Sequence, residues 1–91
     1  MSREIFYTSR FRRDLKRMKK QGKEMHKLVE VVEWLANDVV LAPKYRDHAL
    51  SGNYSGFREC HIEPDWLLIY QLDNENIVLV VSRTGTHSDL F

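Results

Sequence analysis

The chain has 91 residues, 43% of them hydrophobic and 30% charged, with a formal net charge of +1, a balance ordinary for one soluble globular domain spanning residues 1–91. No apolar run approaches the roughly 20 residues of a membrane span, and Met1 to Tyr7 lack the basic-then-apolar layout of a signal peptide. The one cysteine, Cys60, has no internal partner for a disulfide, so a reducing cytoplasm and no membrane partner are expected.

Ile5-Phe6-Tyr7 reads as a short strand, being apolar, aromatic and β-branched. Thr8 or Ser9 caps a following helix, along which Phe11, Leu15 and Met18 form a narrow apolar stripe among basic residues. Gly22 ends that helix. A second helix runs from about residue 23 to residue 37, with Met25, Leu28, Val29, Val32, Leu35 and Ala36 as its apolar face, and the tight break predicts a helical hairpin. Residues 37–54, punctuated by Pro43 and Gly52, read as irregular. Three strands follow, over 56–62, 66–72 and 77–84, joined by turns at Pro64-Asp65 and Asp73-Asn74-Glu75-Asn76. Short turns imply an antiparallel meander. The expected fold is α+β: an N-terminal strand, a two-helix hairpin, then a three-stranded meander, with the helices on one face of the sheet.

Charge is unevenly divided. Residues 1–27 hold ten Lys/Arg against Glu4, Asp14 and Glu24, whereas residues 28–91 hold four basic and ten acidic residues. The basic helix, with Arg10, Arg12, Arg13, Lys16, Arg17, Lys19 and Lys20, is either a solvated face or a surface for nucleic-acid phosphates.

The candidate chemistry lies in the C-terminal half. In a three-strand antiparallel meander the end of the first strand and the end of the third share one edge of the sheet. His61, Asp65, Arg83 and His87 therefore converge, and His48 reaches them from its loop. Phe57, Glu59 and His61 share one face of their strand, and Arg83 continues the parity of Ile77, Leu79 and Val81. Imidazoles take and give protons near neutrality. A guanidinium fork suits a phosphoryl group, with an ion pair to Asp65 or Asp89 as its plainer use. Trp66 and Phe91 are candidates to stack on bases, against the alternative that each is a core side chain. His26 reads as structural. No H-x-x-x-H spacing or cysteine cluster is present, so neither metal nor another cofactor is expected. Cys60 points away from His61 and reads as a packed thiol.

The stretches Asp47-His48-Ala49-Leu50-Ser51-Gly52, Gly56 through Tyr70 with its His61-Ile62-Glu63-Pro64-Asp65-Trp66 core, and Arg83-Thr84-Gly85-Thr86-His87 resemble the YafQ toxins of the RelE superfamily. The resemblance covers nearly the whole chain. It departs at Ala49, where the family often has proline, which bears on loop stiffness. It implies a RelE-like fold and a type II toxin: an endoribonuclease that enters the ribosome, cleaves translated mRNA, and is neutralised by a cognate antitoxin. Family roles would fall on His48, His61, Asp65, Arg83, His87 and Phe91. On that basis the expected mechanism is metal-independent attack by the RNA 2′-OH. His87 is then the general acid, His48 or His61 the general base, Asp65 an assistant and Arg83 the phosphoryl stabiliser. The alternatives are a non-catalytic toxin of the ParE type, which binds DNA gyrase, and a plain RNA-binding module.

Overall fold

The structure, a computed structural model, describes residues 2–91. Strand β1 (Glu4–Tyr7) leads into helix α1 (Ser9–Lys20) and helix α2 (Met25–Ala36). Strands β2 (His48–Ala49), β3 (Arg58–Glu63), β4 (Trp66–Asp73) and β5 (Val78–Gly85) follow, and helix α3 (His87–Leu90) ends the chain. The strands form one sheet in the order β1-β5-β4-β3-β2, with β1 parallel to β5 and the other pairs antiparallel. The expected α+β arrangement and meander are present, and the sheet gains a strand at each edge.

Local chemistry explains the boundaries. Thr8 caps α1 by accepting the Phe11 N–H, while its own hydroxyl donates to the Ser82 carbonyl 2.8 Å away. The helix start is thus tied to β5. At the other end Gly22 takes φ +78°, and the Gly22 and Lys23 amides bond back to the Lys19 and Met18 carbonyls. That is the left-handed closure for which glycine is suited. Arg17, Lys19 and Lys20 occupy the last turn, where positive charge opposes the helix dipole.

The sheet separates two apolar layers. On one face Cys60, Ile62, Trp66, Leu68, Tyr70, Leu79 and Val81 meet Phe11 and Met18 of α1 and Leu28, Val31, Val32 and Leu35 of α2. On the other, Leu67 and Ile69 pack with Leu90 of α3 and with Leu50, Tyr54 and Phe57. The central strand β4 is therefore buried on both sides from Trp66 to Tyr70, which accounts for its unbroken apolar run.

Three features depart from the sequence expectation. His48 and Ala49 pair with Glu59 and Arg58 as an edge strand within the stretch read as irregular. The C-terminal residues coil into α3, closed by a reciprocal cap between Thr86 and Asp89. Finally, the β4–β5 register moves from Tyr70↔Val81 to Ile69↔Arg83, leaving Ser82 as an extra residue. This bulge turns Arg83 onto the face opposite Leu79 and Val81, so it does not continue their row. Its physical cause is the junction at Thr8, which bonds both the Val81 and Ser82 carbonyls as β1 gives way to α1.

Candidate active site

The face of the sheet turned away from α1 and α2 carries the site. Paired residues on adjacent strands share a face, so His48↔Glu59, Glu59↔Ile69 and Ile69↔Arg83 form one row across four strands. His61↔Leu67 and Leu67↔Gly85 form the next. His87 follows at the start of α3. The ring centres of His48 and His61 are 6.4 Å apart, and those of His61 and His87 are 5.7 Å apart. The three imidazoles expected to converge do so.

Two carboxylates organise them. Glu59, 6% exposed, places Oε1 3.3 Å from His61 Nε2 and 3.7 Å from His48 Nε2. The opposite ring nitrogens face backbone carbonyls, His48 Nδ1 at 2.6 Å from Arg46 and His61 Nδ1 at 3.2 Å from Pro64. Each ring is thereby aimed with Nε2 toward the shared carboxylate. Asp65 serves His87 instead: Oδ1 accepts the His87 amide at 2.9 Å and lies 2.6 Å from His87 Nδ1. These contacts, the backbone N–H first, hold the Asp65 carboxyl below its ordinary range. With Nδ1 engaged, His87 turns Nε2 outward.

Arg83 is fixed from behind. Its Nε and Nη2 donate to the Asp14 carboxylate at 2.7 and 3.1 Å, and the Thr84 amide donates to the same group at 3.2 Å. This pairing, Asp14 first, raises the guanidinium pKa further above its ordinary value. Nη1 has no partner among the described residues. Neither Asp65 nor Asp89 is the ion-pair partner expected for Arg83.

The loop ahead of β2 is anchored as well. The Tyr70 hydroxyl bonds Asp47, and Arg58 reaches Asp47 at 3.3 Å and the Tyr70 oxygen at 3.3 Å. Burial, then the Asp47 contact, pushes the Tyr70 phenol up, so it stays a donor. The residue before His48 is therefore held by a buried ring of β4.

The remaining expected residues divide. Trp66 is 0% exposed, packs on the helix side and donates its indole N–H to Thr84 Oγ1 at 2.9 Å, so it cannot stack on a base. Phe91 is 62% exposed, its ring edge-on to Tyr54 at 5.6 Å; Leu90, not Phe91, anchors the tail. Arg10, Arg12, Arg13, Lys16, Lys19 and Lys20 are exposed on α1. Arg17 is drawn inward to Asp14 at 3.0 Å and Asp89 at 3.6 Å, which removes it from the free basic face. Burial pushes the Cys60 thiol up, as befits a packed side chain. Among the described residues, no group of three His, Cys, Asp or Glu side chains is set to hold a metal ion.

Glu59 and Asp14 were not among the expected site residues. Each left a signal. Glu59 shares strand parity with His61, and Asp14 is the one acid on α1, four residues before buried Met18.

A family model described as "Bacterial toxin of type II toxin-antitoxin system, YafQ" matches residues 3–91. The chain belongs to the YafQ toxin family. Among its relatives, the mRNA interferase toxin YafQ of Escherichia coli K12 is 40% identical over 92 residues, spanning 100% of this chain and 98% of the relative. A metal-bound toxin from Helicobacter pylori is 44% identical with a TM-score of 0.92, covering 98% of this chain and 99% of that one. The YafQ of the E. coli DinJ-YafQ toxin-antitoxin complex is 40% identical with a TM-score of 0.89, covering 100% and 99%. The YafQ family thus accounts for the fold over nearly the full chain.

Proposed function

We propose that this YafQ-family chain is an endoribonuclease of a type II toxin–antitoxin pair, cleaving mRNA on the translating ribosome by acid/base chemistry without a metal. The observation that carries the reading is the pairing of two differently wired proton-transfer groups, the Glu59-bridged His48/His61 pair and the Asp65–His87 dyad, beside a pre-positioned arginine. The relative named as an mRNA interferase supports it.

RNA carries its own nucleophile. The His48/His61 pair takes the 2′-OH proton, with Glu59 as the common acceptor that steadies the charge. The 2′ oxygen bonds to phosphorus, Arg83 Nη1 meets the charge developing on the phosphoryl oxygens, and the P–O5′ bond breaks. His87 protonates the departing 5′ oxygen. The products are a 2′,3′-cyclic phosphate and a 5′-hydroxyl. Each proton transfer contributes roughly 10²–10⁴-fold. Phe91, exposed beside Tyr54, stacks on a base near the cut. The exposed arginines and lysines of α1 hold ribosomal RNA phosphates, a grip that weakens as salt rises.

The partner is a cognate antitoxin, as the DinJ-YafQ toxin-antitoxin complex of the relative suggests. Among the described residues no helix is long and apolar enough to cross a membrane, and translated mRNA implies a cytoplasmic site of action. The gyrase-binding alternative leaves both imidazole–carboxylate arrangements without a task.

End-group analysis tests the chemistry. Fragments cut on ribosomes should end in 2′,3′-cyclic phosphate and persist with a chelator selective for transition metals, which leaves the ribosome's Mg²⁺ in place. Fragments ending in 3′-hydroxyl, or loss of cutting on chelation, would overturn it.

A further inference from the structure

Beside Arg83 the catalytic face continues into a groove of about 230 Å³ that the mechanism touches at Arg83 alone, lined by Arg10, Tyr54, Phe57, Gln71, Ser82 and Arg83 among others. We propose that this groove is a nucleobase subsite: it takes one base of the mRNA adjoining the cleaved phosphodiester and so contributes to the choice of cleavage sequence. The proposal rests on the nuclease reading and adds to it a specificity element.

Four observations lead there. The groove is smaller than the roughly 300–1,000 Å³ of sites for drug-sized ligands, which fits a single ring system. Two of its walls are aromatic: Tyr54 and Phe57 stand edge to face at 5.9 Å and 87°, and every base has a face to stack on such rings. Its charge is entirely cationic, from Arg10 and Arg83, with no carboxylate in the lining, as the polyanionic backbone on either side of a base requires. The larger groove near His61, about 440 Å³, mixes Lys27 and Lys44 with Glu30 and Glu63 and lacks that match.

The fourth observation concerns Gln71. Its amide is half-buried and makes no side-chain hydrogen bond among the described residues. An amide supplies both a donor and an acceptor, the combination a base edge presents in return. Gln71 lies two residues along β4 from Ile69, the partner of Arg83, a separation of about 7 Å. A phosphate held at Arg83 therefore brings its neighbouring base within reach of Gln71 and the two rings.

The test maps cut sites on translating ribosomes for wild type, Gln71→Leu and Tyr54→Leu. The Gln71 variant keeps the core intact should the Tyr54 variant fold poorly. The expected result is a base preference at one position beside the cut in wild type that relaxes in the variants. Cutting should slow roughly tenfold in Tyr54→Leu, the scale of one lost base–aromatic stack, with 2′,3′-cyclic phosphate ends retained in both variants. Unchanged preference and rate in both variants would overturn the subsite and leave the nuclease reading standing. If wild type cuts nothing, the nuclease reading itself fails, and a titration with a 2′-O-methyl trinucleotide decides the groove. Shifts of the Gln71 amide and Tyr54 ring resonances, lost with an abasic probe, would support base binding. Their absence would overturn it.

Discussion

Asp14 and Arg83, 69 positions apart, form a two-pronged ion pair across the junction of α1 and β5, with Nε–Oδ2 at 2.7 Å and Nη2–Oδ1 at 3.1 Å. Asp14 is 2% exposed and also holds Arg17 and the Thr84 amide. Removing its charge leaves two guanidiniums without their shared partner. Asp14→Asn should destabilise the fold by about 2–4 kcal/mol, the low side of a broken buried pair because Arg17 and Arg83 keep some water. Thermal unfolding checks this, at about 4–8 °C per kcal/mol for a chain of this size. Cutting should fall further than the unfolded fraction explains, since Arg83 loses its aim.

The Asp65–His87 contact sets a pH dependence. The Asp65 carboxyl lies below its ordinary 3.8 in the fold because the His87 amide and ring bond it. A carboxylate depressed in the native state adds stability above its unfolded pKa and loses it as pH falls through the folded value. Wild type should therefore exceed Asp65→Asn in melting temperature near neutrality, with the gap closing as pH drops below the ordinary aspartate range. A gap that stays constant down to acid would contradict the contact. At neutral pH, Asp65→Asn should slow cutting by roughly ten- to a hundredfold, within the range of one acid/base contribution, while mRNA binding holds.

Glu59 should behave as part of one unit with His48 and His61. Glu59→Gln keeps the shape but cannot hold a proton between the two Nε2 atoms 3.3 and 3.7 Å away. The expected loss in cutting is roughly 10²-fold. Combining it with His48→Ala should cost much less than the product of the two single losses, as for groups acting together. Single-turnover rates for the two single variants and the double variant check this; independent, multiplicative losses would contradict the bridge.

Trp66 should matter for stability alone. Trp66→Phe removes the indole bond to Thr84 Oγ1 and leaves a small void, a cost of about 1–3 kcal/mol. Cut positions on mRNA should be unchanged. A shifted cut pattern in a well-folded variant would return Trp66 to the substrate.

Much of the site was legible in the sequence because antiparallel topology dictates which strand ends meet. His61, the Asp65 turn and His87 follow from that rule with no knowledge of packing. What stayed hidden depends on tertiary partners. The two-residue strand at His48 exists only because β3 is there to pair with it. The bulge at Ser82 answers to Thr8, more than 70 residues earlier, and it reverses the face on which period-two counting puts Arg83. Trp66 read equally as a stacking ring or a core side chain; the pleat turns it to the helix side, and the core reading holds. Asp14 and Glu59 reveal their tasks only once the residues they bridge are in place.

The central claim is tested most directly by mapping mRNA 5′ ends on translating ribosomes with wild-type protein and with His87→Ala. His87 is exposed, and the alanine variant should fold normally. The account predicts discrete cuts for wild type that fall by roughly 10²–10⁴-fold in the variant, the share of one general acid. Cuts of equal strength from both proteins, or growth arrest by wild type with no cuts at all, would contradict it.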